Sequence, residues 1–562
     1  MAPKFCGVRN VSDSRADDII LKTNQMVTAR AVFDSHWREI AQRILPRSDF
    51  FRSNRQPGDK HTEMIFDSTA GLALERFSAA MESMLTPRTQ RWHKLKCSDP
   101  ALDANPEVRR YLDDVTQILF SVRYAPGGNF ASQANEVYTS LGAFGTGALF
   151  VDEMLGHGIR YRAVHLGELY IAENFQGVID TVYRKFNMTV RQVAQRWGVG
   201  KLNDRQKGLL EKNPEVLLEI IHAVQPRDDV DYGKKNLKGM PIMSCYVDLE
   251  TRAVLDEGGY HRMPYAVGRY VTGPKETYGR SPAMTVLPDI KMVNEMSKTV
   301  MRAAHKQVDP PLLLQDDGAL QAFDLRPGAL NYGGVDEQGR QLVHPLQTNA
   351  RVDIGLEMME QRRKVINDAF LVTLFQILVD APTMTATEAM LRAQEKGALL
   401  APTMGRQQSE LLGPLIEREI DILARAGALP PMPRALLDAG GSVDVEYVSP
   451  LNRAQRADEG VAILRTLESI APLAQIDPSV MMVFDPQAVA RELADINGVP
   501  QKVMRTPEQI AAMQQAQAQQ AQAAALLQAA PIVSGAAKNL AQAQSLAGSS
   551  PSQVAPGLFQ GG

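Results

Sequence analysis

Two helix-forming segments of nearly equal length flank a short block rich in turn residues, and this order restricts the fold more than any other feature. The first segment, 288–307, would extend roughly 30 Å as an α-helix, and the second covers 350–370. The block between them, 308–347, begins with the helix-stopping Pro310-Pro311 and alternates short apolar runs with glycine-containing turns. The pattern predicts two paired helices of matched length that carry a small β-rich tip.

The rest of the chain predicts an α+β fold that is predominantly helical. Ser281 and Pro282 form a helix start, as N-cap and first helical residue, and we expect Pro288 to kink or restart that helix. Helical spacing of apolar residues predicts helices at 13–45, 62–85, 106–124, 130–150, 189–197, 386–426 with several breaks, 453–470, 485–498 and, rich in Ala and Gln, 511–530. Runs of β-branched and aromatic residues predict strands within 148–185, 241–271 and 443–451.

The chain lacks the residue patterns of common enzyme classes. The glycine-rich segment 142–150 has neither the Lys-Ser/Thr of a phosphate loop nor the order GxGxxG, which favours a loop or helix-packing role. The nine histidines form no HExxH motif. Asp228, Asp229 and Asp231 cluster as nuclease carboxylates do, but they lie in a polar loop where solvated charge is the ordinary explanation. We therefore expect no catalytic, metal or cofactor site.

Composition argues against two further classes of protein. The 61 basic and 64 acidic residues give a net charge of −3, without the basic excess of a tight DNA-binding protein. No run of eighteen uncharged apolar residues is present, and the N-terminus lacks the apolar core of a secretory signal. Cys6, Cys97 and Cys245 lie far apart and are predicted to be reduced, buried thiols. These features predict a cytosolic protein without a membrane span.

A basic stripe follows the first of the paired helices. Its four basic residues are spaced 7, 4 and 3 residues apart and share one helix face, while apolar residues at 293, 296, 300 and 303 share another. The apolar stripe would pack on neighbouring elements and the basic stripe would face water or phosphate; a plain solvated face is the simpler alternative. The second helix repeats the pattern with Arg351, Arg362, Arg363 and Lys364, offset by Glu357 and Glu360. The candidates for contact with phosphate are Lys291, Lys298, Arg302, His305, Arg362, Arg363 and Lys364.

Several stretches of the chain resemble the portal (head-to-tail connector) proteins of short-tailed DNA phages. In order, they are DSTAGLALERFSAAMESMLTPRTQRWHKL (67–95), SLGAFGTGALFVDE (140–153), YGRSPAMTVLPDIKMVNEMSKTVMRAAHKQVDPPLLLQDDG (278–318), TMTATEAMLRAQEKG (383–397) and VEYVSPLNRAQR (445–456). The third stretch is the most specific. The resemblance covers most of 60–470, whereas the Ala/Gln-rich end is similar only in kind.

The resemblance implies a portal-type subunit with a wing, a stem helix pair, a clip and a helical crown or barrel. The paired helices would be the stem, and the turn-rich block would be the clip, where other proteins dock. The implied divisions are a wing at 1–280, stem helices at 281–307 and 348–370, the clip at 308–347, a channel (tunnel) loop at 371–385, a long kinked helix returning to the wing at 386–480, crown or barrel helices at 481–546 and a flexible tail at 547–562. The docking candidates in the clip are Asp316, Asp317, Arg326, Tyr332, Asp336, Glu337 and Arg340.

The same resemblance implies a structural, non-enzymatic function in the virion. Copies would form a ring, typically of twelve subunits, at one capsid vertex after assembly in the host cytoplasm. Double-stranded DNA would enter and leave through the channel without being read. The other partners would be the terminase packaging motor, tail adaptor proteins, and capsid and scaffolding proteins, with no cofactor and no membrane. Two alternatives stay open: another virion structural protein, such as a tail adaptor or internal protein, and a metal-dependent nuclease or packaging ATPase.

Overall fold

The computed structural model describes most of the first 372 residues and parts of the remainder. The described ranges are 11–46, 65–103, 105–154, 158–234, 236–314, 352–372, 402–440, 443–448, 459–470, 483–496 and 509–521, with short runs between 324 and 346 and a few isolated positions. Within these ranges the protein is α+β and predominantly helical, which confirms the predicted fold class.

The helices named here lie in the described residues up to position 425, and the helix over 402–407 is described below with the C-terminal half. They are α1 (Val11–Ile44), α2 (Thr69–Leu85), α3 (Pro100–Asp103), α4 (Pro106–Arg123), α5 (Phe130–Phe144), α6 (Val190–Trp197), α7 (Asp204–Lys212), α8 (Pro282–Val308), α9 (Val352–Ala369) and α10 (Gly413–Arg425). The predicted start of the second helix at position 62 was wrong. The helix instead begins at Thr69, whose backbone N–H donates a hydrogen bond to Asp67 Oδ1 in the preceding turn at 2.9 Å.

Five β-sheets accompany the helices in the described residues. The strands are β1 (His93–Cys97), β2 (Thr146–Met154), β3 (Gly158–Val164), β4 (Leu169–Glu173), β5 (Ile179–Thr189), β6 (Leu217–Pro226), β7 (Ile242–Asp248), β8 (Ala253–Tyr260), β9 (Tyr265–Arg269), β10 (Val271–Thr272), β11 (Gly279–Arg280), β12 (Leu312–Leu314), β13 (Val343–Pro345) and β14 (Val443–Tyr447). One sheet has the order β3-β2-β9, and a five-stranded antiparallel meander has the order β4-β5-β6-β7-β8. The other strands form three antiparallel pairs, β1-β14, β10-β11 and β12-β13.

The predicted helix 130–150 was too long, because α5 ends at Gly145. Gly145 adopts a left-handed conformation with φ of 79°, which L side chains rarely take. A Cβ atom at this position would also come within 2.4 Å of Gly279 O. The chain therefore turns here into β2, and the glycine-rich segment 142–150 serves the close packing of the helix end on the β10-β11 pair.

The main hydrophobic core joins the three-stranded sheet to α1, α2, α4, α5 and the first turns of α8. A separate cluster buries the start of α1 against the five-stranded sheet, where Ala16 and Ile19 contact a group that includes Tyr183 and Cys245. Cys97 and Cys245 are both buried and form no disulfide, as predicted; Cys6 lies outside the described residues. Burial raises the pKa of the Cys245 thiol to about 12, so this cysteine is a packing residue.

The C-terminal half contributes helices and one strand to this frame. A helix over 402–407 continues through a π-helical segment, Gln408–Leu412, into α10. The break predicted at Gly405 was wrong, since the helix continues through it, and the π segment lies directly before the break predicted at Gly413-Pro414. The strand predicted at 443–451 is confirmed as β14. Further described helices are Arg434–Asp438, 459–470, Pro486–Ile496 and the exposed 509–521. The predicted flexible tail, 547–562, lies outside the described residues.

Candidate functional site: the helix pair and its tip

The helix α8 is anchored at its first residue in the main core. Ser281 caps the helix, since its Oγ accepts a hydrogen bond from Met284 N at 3.0 Å, and the same hydroxyl donates to Ala143 O at 2.8 Å. The predicted Ser-Pro helix start is therefore confirmed. Because Ala283, Leu287 and other residues of the first turns are buried, α8 leaves the core with a defined direction.

Pro288 does not restart the helix, because α8 is one helix of 27 residues. The alternative, a kink at Pro288, stays a prediction. A proline in a helix lacks one N–H and so removes one hydrogen bond, at a cost of about 3 kcal/mol. Leu287, Ile290 and Val293 are all buried on either side of Pro288, and their packing offsets this cost. The described helices consequently differ in length, with 27 residues in α8 and 18 in α9.

The helices α8 and α9 pack against each other in antiparallel orientation. Arg362 Nη1 donates to Asp289 Oδ1 at 3.0 Å near the core end of the pair. Further along, a Cβ atom at Gly355 would lie 2.8 Å from Val300 Cγ2, so the helices approach closely where α9 has a glycine. Met359 and Ile366 of α9 are buried, at spacings of 4 and 11 residues from Gly355, and therefore face α8. The apolar stripe on α8 is thus covered by α9.

A two-stranded antiparallel ladder closes the far end of the helix pair. Leu312 pairs with Pro345 and Leu314 with Val343, immediately after α8 and shortly before α9. Val335 and Gln341 form an isolated bridge within the intervening turns. The described parts of the turn-rich block therefore hold its two ends together, as expected for a small β-rich tip on the paired helices α8 and α9.

Four of the seven candidate DNA-contacting cations are engaged within the chain. Lys291 forms an ion pair with Glu39 of α1, and Lys298 lies 4.0 Å from Glu295 and 5.4 Å from the centre of the Phe66 ring. Arg362 binds Asp289, and Arg363 binds Asp67. These carboxylates lower the positive charge that the stripe presents, an effect that the spacing of the cations alone did not show.

The other three candidates, Arg302, His305 and Lys364, are exposed and have no ion pair among the described residues. Arg302 and His305 lie on α8 near the tip, and Lys364 lies on α9 nearer the core. The structure therefore separates the seven candidates into a paired group and an exposed group, on two different helices.

The carboxylate of Asp67 is held ionised by its neighbours. Burial raises its pKa, but hydrogen bonds from Thr69 and Arg363 outweigh burial, and the net pKa lies below the usual value. The bonds from Arg363 Nε and Nη2 to Asp67 Oδ2 measure 3.0 and 2.7 Å. This contact fixes the core end of α9 against the start of α2.

The structure describes three of the seven docking candidates in the clip. Arg326 is exposed and forms hydrogen bonds to Asp324 that are as short as 2.6 Å, and Glu337 and Arg340 are exposed as well. The other candidates, Asp316, Asp317, Tyr332 and Asp336, lie outside the described residues. The predicted channel loop, 371–385, is described only at Leu371 and Val372.

The possible metal ligands in the described part of the chain do not gather at one place. No group of three His, Cys, Asp or Glu residues there could hold a metal ion. In the Asp228–Asp231 loop, Asp229 lies 4.0 Å from the buried Arg227 and Asp231 lies 3.1 Å from Lys234. The three aspartates themselves are exposed. Across the same residues, no helix is both long enough and apolar enough to span a bilayer.

A buried ion pair that sequence reasoning missed joins α10 to α4. Arg123 Nε donates to Glu419 Oε1 at 3.0 Å, and the Tyr161 hydroxyl donates to the same oxygen at 2.6 Å. Arg123 Nη1 also lies 2.9 Å from His93 Nε2, so β1, β3, α4 and α10 meet at one polar centre inside the core. Both partners lie on amphipathic helices, but they are 296 positions apart, and no local pattern pairs them.

The chain matches known phage proteins along nearly its whole length. A family model described as bacteriophage head to tail connecting protein matches residues 16–504. The chain is 31% identical over 513 residues to a probable portal protein of Bordetella phage BPP-1, covering 90% of this chain and 92% of that protein. It is 28% identical over 546 residues to the portal protein of Salmonella phage epsilon15, with 95% and 97% covered. This chain therefore belongs to the bacteriophage head to tail connecting proteins and is a portal subunit.

Proposed function

We propose that copies of this portal subunit form a closed ring, of twelve subunits as the sequence resemblance implies, at one vertex of the phage capsid. The ring would be assembled in the host cytoplasm and would act as the conduit for packaging and ejection of double-stranded DNA. The observation that supports this most is the antiparallel pair α8–α9, joined at its end by the β12-β13 ladder. Rods of this kind can line a ring side by side and enclose a channel wide enough for a duplex.

We propose the wing, stem and clip divisions on the same basis. The core-forming residues up to position 280 would be the wing, α8 and α9 the stem, and the residues between them the clip. The clip would bind the terminase packaging motor first and tail adaptor proteins later, through charged side chains such as Arg326, Glu337 and Arg340, which are exposed in the structure. Capsid and scaffolding proteins would contact the wing.

The channel would hold DNA weakly and without reading its sequence. The net charge of −3 and the pairing of four candidate cations with carboxylates limit the attraction between the wall and phosphates. Weak attraction that salt screens leaves low barriers to sliding. The function proposed is therefore structural and conductive, with no catalytic step.

Electron microscopy of the purified full-length protein tests this proposal. We expect closed rings with a central hole; a monomer that stays stable at micromolar concentration would contradict it. Replacement of 312–345 by a short Gly/Ser linker tests the clip. Rings should still assemble but should no longer bind the motor or the tail adaptor, and loss of assembly would instead assign the block to subunit contacts.

A further inference from the structure

The helix pair has one side that is covered by the protein's own core. Phe66 N donates to Asn294 Oδ1 at 2.7 Å, and Ser297 Oγ donates to Phe66 O at 2.9 Å. Asp67 binds Arg363 of α9. Residues 66 and 67 therefore fill the groove between α8 and α9 on this side, which we call the covered side.

Beyond residues 66 and 67, towards the tip, the covered side still exposes two large apolar side chains. Met301 follows Ser297 by four residues, so the two lie on the same face of α8. Leu356 precedes Arg363 by seven residues, so these two lie on the same face of α9. Met301 is 45% exposed and Leu356 is 51% exposed.

The opposite side of the pair, which we call the open side, exposes four apolar residues. Met292 on α8 and Ile354, Met358 and Val365 on α9 are between 41% and 46% exposed. They lie about 140–200° around their helices from the residues that bind 66 and 67, given 3.6 residues per turn. All four side chains therefore stay partly open to solvent in the single subunit.

The two sides carry different residues, and this difference decides what kind of partner fits. A two-fold contact pairs a surface with itself, so it would bury one apolar side and leave the other in water. A head-to-tail contact, open side to covered side, buries both sides with a single repeated contact and generates a ring when it closes. A second copy of this chain therefore satisfies both apolar sides at once.

We infer that neighbouring copies of this protein pack through the helix pair, with the open side of one against Met301, Leu356 and the Phe66 region of the next. The inference rests on the proposed ring and adds which surfaces build it. It also orients the helix pair in the ring. The open and covered sides then face the neighbouring subunits along the circumference, so the outer faces of α8 and α9 point along the radius.

The orientation decides which helix faces the channel. The outer face of α8 meets α1 through the Lys291–Glu39 ion pair, so the core of each subunit lies on that side. The outer face of α9 carries charged residues at spacings of 4, 3 and 4, all exposed: Asp353, Glu357, Glu360 and Lys364. This polar face of α9 points to the ring axis. Of the three exposed candidate cations, Lys364 then meets DNA, whereas Arg302 and His305 point away from it.

Complementary charge variants of the full chain test the contact. One variant carries Ile354→Asp and Met358→Asp on the open side, and the other carries Met301→Lys and Leu356→Lys on the covered side. Each alone should lose roughly tenfold or more of its ring fraction in sedimentation velocity and electron microscopy. An equimolar mixture should regain rings, because every second contact is then wild-type and the others pair Asp with Lys. A control with Val199→Asp and Leu217→Asp, which changes exposed apolar residues away from the pair, should assemble as the wild type does.

The outcomes separate this inference from the proposed function. If the wild type itself forms no rings, the proposed function fails. If it does and either variant alone also forms them normally, or if folded variants regain none on mixing, the side-to-side contact is overturned while the ring stands. Near-ultraviolet and far-ultraviolet circular dichroism establishes that each variant is folded.

Discussion

Arg363 Nη2 on α9 lies 2.7 Å from Asp67 Oδ2, at the turn that precedes α2, and joins positions that are 296 residues apart. The carboxylate is almost buried, whereas Arg363 is one-third exposed. Through this contact the direction of the helix pair is set by the main core and not by α8 alone.

Loss of this contact should destabilise the subunit. Arg363→Ala leaves the Asp67 carboxylate buried without its cation, and we expect a loss of about 1–2 kcal/mol in the free energy of unfolding, since solvent reaches part of the pair. The control is Arg302→Ala, an exposed cation with no ion pair among the described residues, which should change stability by about 0.5 kcal/mol or less. Denaturant titration of both variants measures the difference, and equal effects would contradict this role for Arg363.

The buried pair Arg123–Glu419 should contribute more to stability than any surface pair on the same helix. Both side chains are at most 1% exposed, and Glu419→Gln leaves a buried guanidinium without its counter-charge, at a cost of about 3–5 kcal/mol. Glu417, two residues earlier, is 53% exposed and pairs with Arg262 at 3.1 Å. Glu417→Gln is therefore the matched control, with an expected loss below about 1 kcal/mol. Thermal unfolding that ranks the two variants in the opposite order would disprove the assignment.

Mild acid should destabilise the fold through two buried histidines. Burial, together with Arg123, lowers the pKa of His93 well below its ordinary value, and burial with Arg196 and Arg184 does the same for His222. Below about pH 6.5 the unfolded chain binds protons that the folded chain excludes. The contribution of the two histidines to the free energy of unfolding is therefore fully present above that pH. It falls as the pH decreases, by at most about 1.4 kcal/mol per pH unit for each histidine.

A single substitution isolates this effect. His222→Gln can keep hydrogen bonds to the Tyr265 hydroxyl and Ser244 Oγ, which lie 2.7 and 2.9 Å from the ring nitrogens. The variant should show about half the wild-type slope of unfolding free energy between pH 6.5 and 5.5. His261→Gln, at an exposed position, is the control. A slope that His222→Gln leaves unchanged would mean that this histidine does not cause the acid sensitivity.

The inferred orientation of the helix pair predicts which side chains approach DNA. A photo-crosslinking amino acid at position 357 or 364 should capture DNA in filled particles, because the outer face of α9 points to the channel. The same reagent at position 302 or 305, on the outer face of α8 near the tip, should capture little. Both sets are exposed in the single subunit, so reagent access does not explain a difference between them. Stronger capture from 302 than from 357 would reverse the orientation.

Much of this architecture follows from local features of the sequence. The helix start at Ser281-Pro282, the buried periodicity of α2 and four strands of the five-stranded meander were predictable, since capping and side-chain periodicity act over a few residues. The central strand of the meander, β6, was not predicted. The order of two helices around a turn-rich block also gave the pairing of α8 with α9. The errors at Pro288 and Gly145 have a common cause: packing against distant residues overrode or ended a local pattern.

The surroundings of the charged residues depended on tertiary structure alone. Helical spacing placed Lys291 and Lys298 on one face of α8, but it could not show that Glu39 of α1 neutralises Lys291 or that Asp67 binds Arg363. It also could not show that one side of the helix pair is covered by Phe66 while the other is open. Periodicity is a property of one element and says which residues share a face. Which element meets that face depends on contacts between residues hundreds of positions apart, and only the folded chain brings those together.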